Sequence, residues 1–356
     1  MQIIKYNTDI SISYNINSIF SDGNICYFDI ETTGLSRQKN IIYLIGVVYH
    51  ENKIYKSIQW FNDDGASEEN IIRQFIDFID DYQVLINYNG TSFDIPFVHE
   101  RAKLYNIDFD TVSVQSFDLY KLVSKCRKFL SLSDLKQKTI ELFLRIDRTD
   151  KYDGGTLINI YYKYLKDRDN EACRLLLLHN YDDICNLVKI TDILSYIDIS
   201  NGMYDVIETD TSDKELIITC QLYNQLTVPL SIMGEYFYIS GKNSTLKFLI
   251  KTEELTLKYF YSDYKNYYYL PEEDMAIHKS VAQFVDKDYK MKAKKNNCYT
   301  KKDGIFIRQN NKIFEPEFKK EYSDKYSYIL LSDILDNNDM EVMKKYTMNI
   351  LKEAAH

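Results

Sequence analysis

The segment Phe28–Leu35, FDIETTGL, decides the interpretation of the fold, because it places two acids at the end of a hydrophobic strand. Asp29 and Glu31 are two residues apart. Side chains alternate between the two faces of a strand, so both carboxylates point to the same face. Two like charges on one face repel each other unless a cation lies between them. The segment therefore predicts a strand that carries a candidate cation site.

The elements around this strand form a βββαβα pattern followed by a late helix. They are a first strand over Asn24–Ile30, strands over Ile41–Val48, Ile54–Trp60, Val84–Tyr88 and Ser113–Asp118, helices after Ser67 and from Pro96 through Leu104, and a long helix after Asp169. Apolar spacing and turn residues support each of them. Strands that alternate with helices in this way indicate an α/β fold.

Further acids follow in order along this pattern. Asp94 lies in YNGTSFDIPFV, where the fourth strand meets the next helix, and His179 and Asp183 lie in HNYDDICNL at i and i+4, on one face of the late helix. Several carboxylates suit Mg²⁺ or Mn²⁺, and two such ions clamp the attacking and leaving oxygens of a phosphodiester. Taken alone, Asp29 and Glu31 are typical of a surface pair, Asp94 is typical of a helix cap, and Asp183 is typical of a solvated charge on a helix. Their joint occurrence favours a metal site.

Three of these segments resemble a known family. FDIETTGL, NGTSFDIPF and HNYDDI resemble the three motifs of the DEDD superfamily of 3′ to 5′ exonucleases, and the chain is similar to the YprB-type ribonuclease H-like domain. The spacers Ser131–Arg148 and Asp153–Leu165 resemble that domain as well. The resemblance covers roughly Asn24 to Leu194 and implies a ribonuclease H-like α/β fold. Its expected core is a mixed five-stranded sheet with an antiparallel second strand and helices on both faces.

The resemblance also implies roles for individual residues. The metal ligands for two Mg²⁺ or Mn²⁺ ions would be Asp29, Glu31, Asp94 and Asp183, the general base would be His179, and nucleic-acid contacts are expected from Thr32, Asn89 and Phe93. The spacing from His179 to Asp183 is that of the branch in which tyrosine commonly occupies the base position. Asp118, in SFDLYKL, matches a position near the site, where we expect a supporting role.

The resulting prediction is a metal-dependent hydrolase, a 3′ to 5′ exonuclease acting on single-stranded DNA or RNA. The choice between DNA and RNA and the oligomeric state stay open. One alternative is a noncatalytic nucleic-acid-binding protein that keeps the fold. The other is a structure-specific endonuclease, which product length would distinguish.

The second half has a different texture, with short strands over Leu216–Tyr223, Tyr236–Ile239, Leu246–Ile250, Leu255–Phe260 and Tyr267–Leu270 and a helix around Ala276–Val285. A boundary in the polar stretch 199–214 predicts an exonuclease domain over 1–200 and a smaller α+β accessory domain over 215–356. Residues 287–302 hold seven lysines against one acid. Lys292, Lys294 and Lys295 would suit single-stranded nucleic acid with neighbouring tyrosines as stacking partners. A solvated lysine-rich face is the alternative.

Composition excludes several other classes. The 356 residues carry a formal net charge of -9, which argues against a protein that coats nucleic acid nonspecifically but leaves a local basic patch possible. The longest apolar run, at 41–49, is too short for a bilayer span, and the first ten residues lack the features of a secretory signal. The six cysteines form no C-x-x-C pair, which favours reduced thiols. We therefore expect a cytoplasmic protein without a membrane partner.

Overall fold

A computed structural model of the chain describes residues 1–20, 23–109, 114–152, 154–337 and 339–355. Within them the chain divides into two compact units. Unit 1 is Met1–Ile197 with Leu226–Val228, and unit 2 is Asp198–Gln225 with Pro229–His356. Among the described residues, no helix combines the length and apolar character needed to cross a membrane.

Unit 1 is built on a mixed sheet. Its strands in the described residues are β1 (Gln2–Thr8), β2 (Ile25–Thr32), β3 (Ile42–Glu51), β4 (Ile54–Phe61), β5 (Val84–Asn87) and β6 (Gln115–Asp118), in the spatial order β1-β4-β3-β2-β5-β6. β3 runs antiparallel to both β2 and β4, and β5 runs parallel to β2 and β6. The predicted mixed sheet with an antiparallel second strand is confirmed.

The sheet differs from the prediction at its two edges. β1 is an added edge strand, antiparallel to β4, and its sequence QIIKYNT is mostly exposed, so it lacks the alternation that identifies a half-buried strand. At the other edge, β6 begins at Gln115. The predicted start of that strand, Ser113, lies outside the described residues.

Helices cover both faces of the sheet. They are α1 (Glu68–Ile79), α2 (Asp94–Leu104), α3 (Leu119–Lys125), α4 (Gln137–Phe143), α5 (Gly154–Asp167), α6 (Asn170–Lys189) and α7 (Leu194–Ser200). On one face, Phe28 and Trp60 pack with Phe75 of α1 in a buried cluster. On the other face, Tyr43 packs with Leu176 of α6. The face that α6 covers is the one that carries the site described below.

Unit 2 contains two further sheets. Its elements are β7 (Tyr204–Ser212), β8 (Glu215–Met233), β9 (Phe237–Phe260), β10 (Tyr267–Leu270), β11 (Met275–His278), α8 (Lys279–Ala282), β12 (Met291–Lys292), β13 (Tyr299–Gln309), β14 (Ser327–Leu330), α9 (Leu331–Asn337) and α10 (Met340–Ala354). In the described part of the chain, one sheet has the order β14-β13-β9-β8-β7 and the other the order β11-β10-β12.

Two predictions for this half are corrected. The three short strands predicted between Tyr236 and Phe260 are parts of the single long strand β9, which is hydrogen-bonded to both β8 and β13. Its pairing with β13 runs through the polar residues 252–254, which separate two of the predicted strands. The predicted helix at Ala276–Val285 is a strand, β11, followed by the four residues of α8. A short apolar run fits a strand as well as a helix, and here pairing with β10 decides.

Candidate active site

Asp29 and Glu31 lie on β2, on the face that α6 covers. The amide of Asn180 donates a hydrogen bond to Asp29 (Nδ2 to Oδ2, 3.3 Å), and His179 Nε2 lies 3.5 Å from Glu31 Oε1. Phe28 and Ile30 point away, into the core that α1 completes. The alternation of the strand thus directs both acids toward one helix.

A glycine allows α6 to approach the sheet at this point. Gly46 of β3 is the cross-strand neighbour of Asp29, and an added Cβ would lie 2.9 Å from Asn180 Cγ. On the next strand, Gln59 pairs with Gly46 and donates to Asn180 Oδ1 (2.9 Å). Asn180 therefore lies buried over the row formed by Asp29, Gly46 and Gln59. The sequence interpretation missed this support, for which a glycine inside an apolar strand was the available signal.

Asp94 reaches the same place from another element. It is the first residue of α2, it is buried, and its Oδ1 accepts a hydrogen bond from the backbone N–H of Ile30 (3.3 Å). Ile30 lies between Asp29 and Glu31 in the chain. The third predicted acid is thus beside the first two.

Asp183 and His179 complete the group from α6. Asp183 Oδ2 lies 3.1 Å from His179 Nε2. One ligand atom each of Glu31, His179 and Asp183 lie within 4.8 Å of one another, which is the arrangement of a group that could hold a metal ion. The five residues predicted to do the chemistry are therefore brought together by β2, α2 and α6.

Crowding of these acids changes their titration. Burial raises the pKa of Asp29 well above its usual range, and the charges of Asp94 and Asp183 raise it further. Burial likewise raises the pKa of Glu31 to about 7 and that of Asp94 to about 7. Such shifts mean that negative charge is poorly compensated at this point. A divalent cation fits this donor set, because hard carboxylate oxygens are its preferred ligands.

His179 is held by a carboxylate that the sequence interpretation did not select. Its Nδ1 lies 2.6 Å from Oδ2 of the buried Asp150, in the loop between α4 and α5. Burial lowers the pKa of His179, but the charges of Glu31 and Asp183 and the hydrogen bond to Asp150 outweigh it, so the pKa is raised. With Nδ1 engaged by Asp150, Nε2 is the ring nitrogen that faces the acids.

The loop that carries Asp150 is fixed to α6. Oδ2 of Asp182 accepts hydrogen bonds from the backbone N–H groups of Thr149 (2.8 Å) and Asp150 (2.7 Å). Asp182 thereby holds the loop against the helix that carries His179. Asp150 is 29 residues from His179 in the chain, and no spacing rule connects them.

Arg148, in the same loop, is the positive group at the acids. Its guanidinium forms an ion pair with Asp183 and another with Glu141 (Nη1 to Oε1, 3.0 Å). In the described part of the chain, it is the one arginine or lysine that pairs with any of the four predicted acidic ligands. A single guanidinium leaves most of their charge uncompensated.

The remaining predicted residues divide between the two units. Thr32 Oγ1 donates to the carbonyl of Gly34 (2.9 Å), and Phe93, which precedes α2, packs on Phe97 with ring centroids 5.5 Å apart. The Asn89 N–H donates to Asp118 (2.8 Å), which also caps α3. These three predicted contacts thus lie on or beside β2, β5 and α2. The predicted lysines Lys292, Lys294 and Lys295 belong to unit 2.

Residues 26–195 match the sequence model of the RNase H superfamily. This segment is an RNase H superfamily domain. The predicted ribonuclease H-like fold of this region is thereby confirmed.

Individual proteins match smaller parts of the chain. DNA polymerase 1 of Sulfurisphaera ohwakuensis is 29% identical over 144 residues, and a DNA polymerase of Methanocaldococcus jannaschii is 39% identical over 44 residues. These matches cover 32% and 12% of this chain but only 16% and 3% of the polymerases. The family B DNA polymerase of Pyrobaculum calidifontis has a structure that aligns with a TM-score of 0.41 and 15% identity, covering 68% of this chain and 35% of the polymerase. The superfamily match and the polymerase relatives support a nuclease.

Proposed function

We propose that this protein is a divalent-metal-dependent 3′ to 5′ exonuclease of the DEDD type that acts on single-stranded DNA or RNA. The observation that carries the proposal is the convergence of four acids from three elements of an RNase H superfamily domain: Asp29, Glu31, Asp94 and Asp183. A fold gains nothing in stability from crowding acids in this way, and burial raises the pKa of Asp29, Glu31 and Asp94. Binding of cations explains why they lie together.

These four acids would hold two Mg²⁺ or Mn²⁺ ions. When bound, such ions lower the pKa of water and stabilise the charge that develops on the attacking and leaving oxygens of a phosphodiester. Asn180, through its hydrogen bond to Asp29, and Arg148, through its ion pair with Asp183, would keep two of the ligands oriented.

His179 would act as the general base. Because Asp150 engages Nδ1, Nε2, which faces Glu31 and Asp183, is the ring nitrogen that would accept the proton of the attacking water. Asp150 would then stabilise the imidazolium that forms, since its carboxylate lies 2.6 Å from the ring. Asp150 does not face the acids itself, so it would be a positioning residue.

The strand being cleaved would contact the residues beside the acids. Phe93 offers an aromatic ring next to Asp94, and Thr32 and Asn89 offer polar groups at the ends of β2 and β5. Rings stack on bases with little regard to sequence. The same contacts would serve DNA and RNA, so the preference between them has to be measured.

The test is a degradation assay with the full chain. Single-stranded DNA, single-stranded RNA and duplexes, each labelled at the 5′ end or at the 3′ end, would be incubated with Mg²⁺, Mn²⁺ or EDTA. A 3′ to 5′ exonuclease shortens the 5′-labelled strand stepwise and releases the 3′ label at once as a mononucleotide. EDTA should stop both reactions.

Two results would contradict the proposal. Internal fragments from both labels would indicate an endonuclease. Stable substrates with both metals, together with measurable strand binding, would indicate a noncatalytic binding protein.

A further inference from the structure

A cleft of about 450 Å³ in unit 2 is lined by aromatic rings and lysines. Its aromatic and basic lining residues are Phe260, Tyr261, Tyr264, Lys295, Lys319 and Tyr322. Ser262 and Glu317 line it as well, so the lining carries two lysines and one acid. The cleft belongs to unit 2 alone and uses none of the acids described above.

One wall of the cleft is firmly packed. Tyr261 stacks on Tyr267, with ring centroids 4.5 Å apart and an interplanar angle of 18°. Both rings, with Tyr264, pack against the small buried cluster formed by Ala276, Ala293 and Cys298. This wall therefore offers rings that are ordered before any ligand binds.

Tyr322, another aromatic residue of the cleft, is more accessible than these rings. Tyr322 is 45% exposed, and its ring meets Phe260 edge-on with centroids 5.4 Å apart. A tyrosine held at one edge with an open face can stack on a planar ligand without losing much side-chain freedom. The cleft thus combines an ordered wall with an open ring.

Among the described residues, the two lysines of the cleft form no ion pair with an acid. Lys295 is exposed, and the described residues show no ion pair for it. Lys319 donates to the backbone carbonyl of Asp324 (3.0 Å), a contact that leaves its charge unpaired. Both side chains are available to an anion.

The lysines of the basic segment 287–302 differ in whether they contact other groups of the fold. Lys290 donates to the backbone carbonyl of Val285 (2.6 Å), and Lys301 pairs with Asp274 (2.5 Å), so these two serve the fold. Lys292 and Lys294 are exposed and, among the described residues, form no ion pair. The unpaired lysines run along one segment that leads to the cleft at Lys295.

We propose that this cleft binds one nucleotide unit of a single-stranded nucleic acid, with the base against the tyrosines and the phosphate at Lys295 and Lys319. Stacking on aromatic rings and neutralisation of phosphates are the two contributions by which proteins hold single strands without reading sequence. The choice of a nucleic acid rests on the proposed function. Glu317, which also lines the cleft, would accept a hydrogen bond from an exocyclic amine of the base.

The experiment measures binding without hydrolysis. Anisotropy of fluorescein-labelled 12-nucleotide DNA and RNA strands is recorded with the full chain in EDTA over a range of salt concentrations. Tyr322→Ala should weaken binding by about fivefold or more, the loss of one stacked base. Lys295→Gln should make the dependence of log affinity on log salt shallower by about 0.7.

Matched controls separate the cleft from general effects. Tyr223→Ala removes another exposed tyrosine of unit 2, and Lys247→Gln removes an exposed lysine of β9. Both should bind like the parent. Melting curves verify that every variant is folded, and because Tyr322 and Lys295 are both exposed, each single variant tests the cleft by itself.

Four results have defined meanings. Parent-like binding by both cleft variants overturns the inference, even if the chain is a nuclease. Adenosine monophosphate that competes as well as the 12-nucleotide strand also overturns it, since the cleft would then be a mononucleotide site. No strand binding by the parent overturns it too. Weakened binding by the variants in a chain that hydrolyses nothing supports the cleft and rejects the exonuclease.

Discussion

The acidic site of unit 1 and the aromatic cleft of unit 2 differ in the sign of their charged side chains and in the exposure of those side chains to water. In the site, four acids lie together, largely withdrawn from water, and burial raises the pKa of Glu31 and Asp94 to about 7. In the cleft, Lys295 stays exposed. An exposed ammonium keeps its hydration and costs the fold little, whereas crowded carboxylates lose hydration and repel one another.

Because of this difference, the two regions would bind different partners. Poorly compensated acids fit small, multiply charged cations, and a row of exposed lysines fits an extended polyanion. Changes in the acidic site should therefore affect chemistry and leave strand binding in EDTA intact. Changes in the lysines should do the reverse.

The largest effect is expected for Asp29→Asn. The change removes a carboxylate ligand but keeps the size of the side chain, so hydrolysis should fall by about 10³-fold or more. Strand affinity in EDTA should be unchanged. Asp77→Asn, an exposed acid of α1, is the control for a lost charge. Full activity of Asp29→Asn would remove the basis of the metal site.

His179→Ala should lower the rate at saturating metal by about 10²- to 10⁴-fold, the usual contribution of a general base. Titration with Mn²⁺ should show nearly the same metal affinity as the parent. His99→Ala, on α2 and half-exposed, is the matched control. A large loss of Mn²⁺ affinity would instead make His179 a ligand, and an unchanged rate would exclude it as the base.

Asp150→Asn tests the positioning of that base. Loss of a carboxylate that is hydrogen-bonded to a functional histidine typically lowers activity by about 10- to 100-fold. Here kcat should fall while KM stays the same. Asp147→Asn changes an exposed acid of the same loop and should have no effect. An equal loss in both variants would indicate that the loop, rather than the Asp150 to His179 hydrogen bond, matters.

Stability without metal should depend on pH in a defined direction. Asp94 has a pKa of about 7 in the folded chain against an ordinary value of 3.8, so the folded state binds the proton more tightly. The free energy of unfolding should therefore fall as pH rises from about 4 to about 7, and level off above that. Melting temperatures of the parent and of Asp94→Asn in EDTA measure this dependence. Between pH 4 and pH 7 the melting temperature of the variant should fall less than that of the parent.

Bound metal should oppose this fall of stability with rising pH. Ligand carboxylates must be deprotonated to bind, so Mn²⁺ should raise the melting temperature more at pH 8 than at pH 5. The increase should be smaller in Asp94→Asn. An equal increase at both pH values would contradict the assignment of these acids as ligands.

The smallest effect is expected for Lys292→Gln combined with Lys294→Gln. Two lost phosphate contacts would make the salt dependence of strand binding shallower by up to about 1.4, with hydrolysis at saturating substrate unchanged. Lys242→Gln with Lys247→Gln carries the same charge change on β9. An unchanged slope would leave these lysines as solvated surface and confine strand binding to the cleft or to unit 1.

Local patterns predicted the frame of the site well. The alternation in FDIETTGL placed Asp29 and Glu31 on one face of β2, and the i, i+4 spacing placed His179 beside Asp183 on α6. Both depend on the geometry of one element, which holds wherever that element packs. The strands β2 to β5 were predictable as apolar, β-rich runs of strand length, and helix α1 from the helical spacing of its apolar residues.

Other features depended on contacts between distant segments. β1 is an edge strand without a clear pattern, and β9 is long because neighbouring strands pair along it. The cleft of unit 2 brings Tyr261, Lys295 and Tyr322 together from three separate segments. Each of these outcomes is set by pairing or packing partners that a local window does not contain.

The α/β pattern was predictable from periodicity and spacing within single elements, and the four acids and the histidine from their motifs and from the family resemblance that those motifs carry. Only the tertiary structure decided that Asp150 engages His179, that Arg148 pairs with Asp183, and that Gly46 lets Asn180 reach Asp29. The physical reason is distance along the chain. A hydrogen bond between side chains 29 or 151 residues apart depends on how loops and helices pack, and no local propensity encodes it.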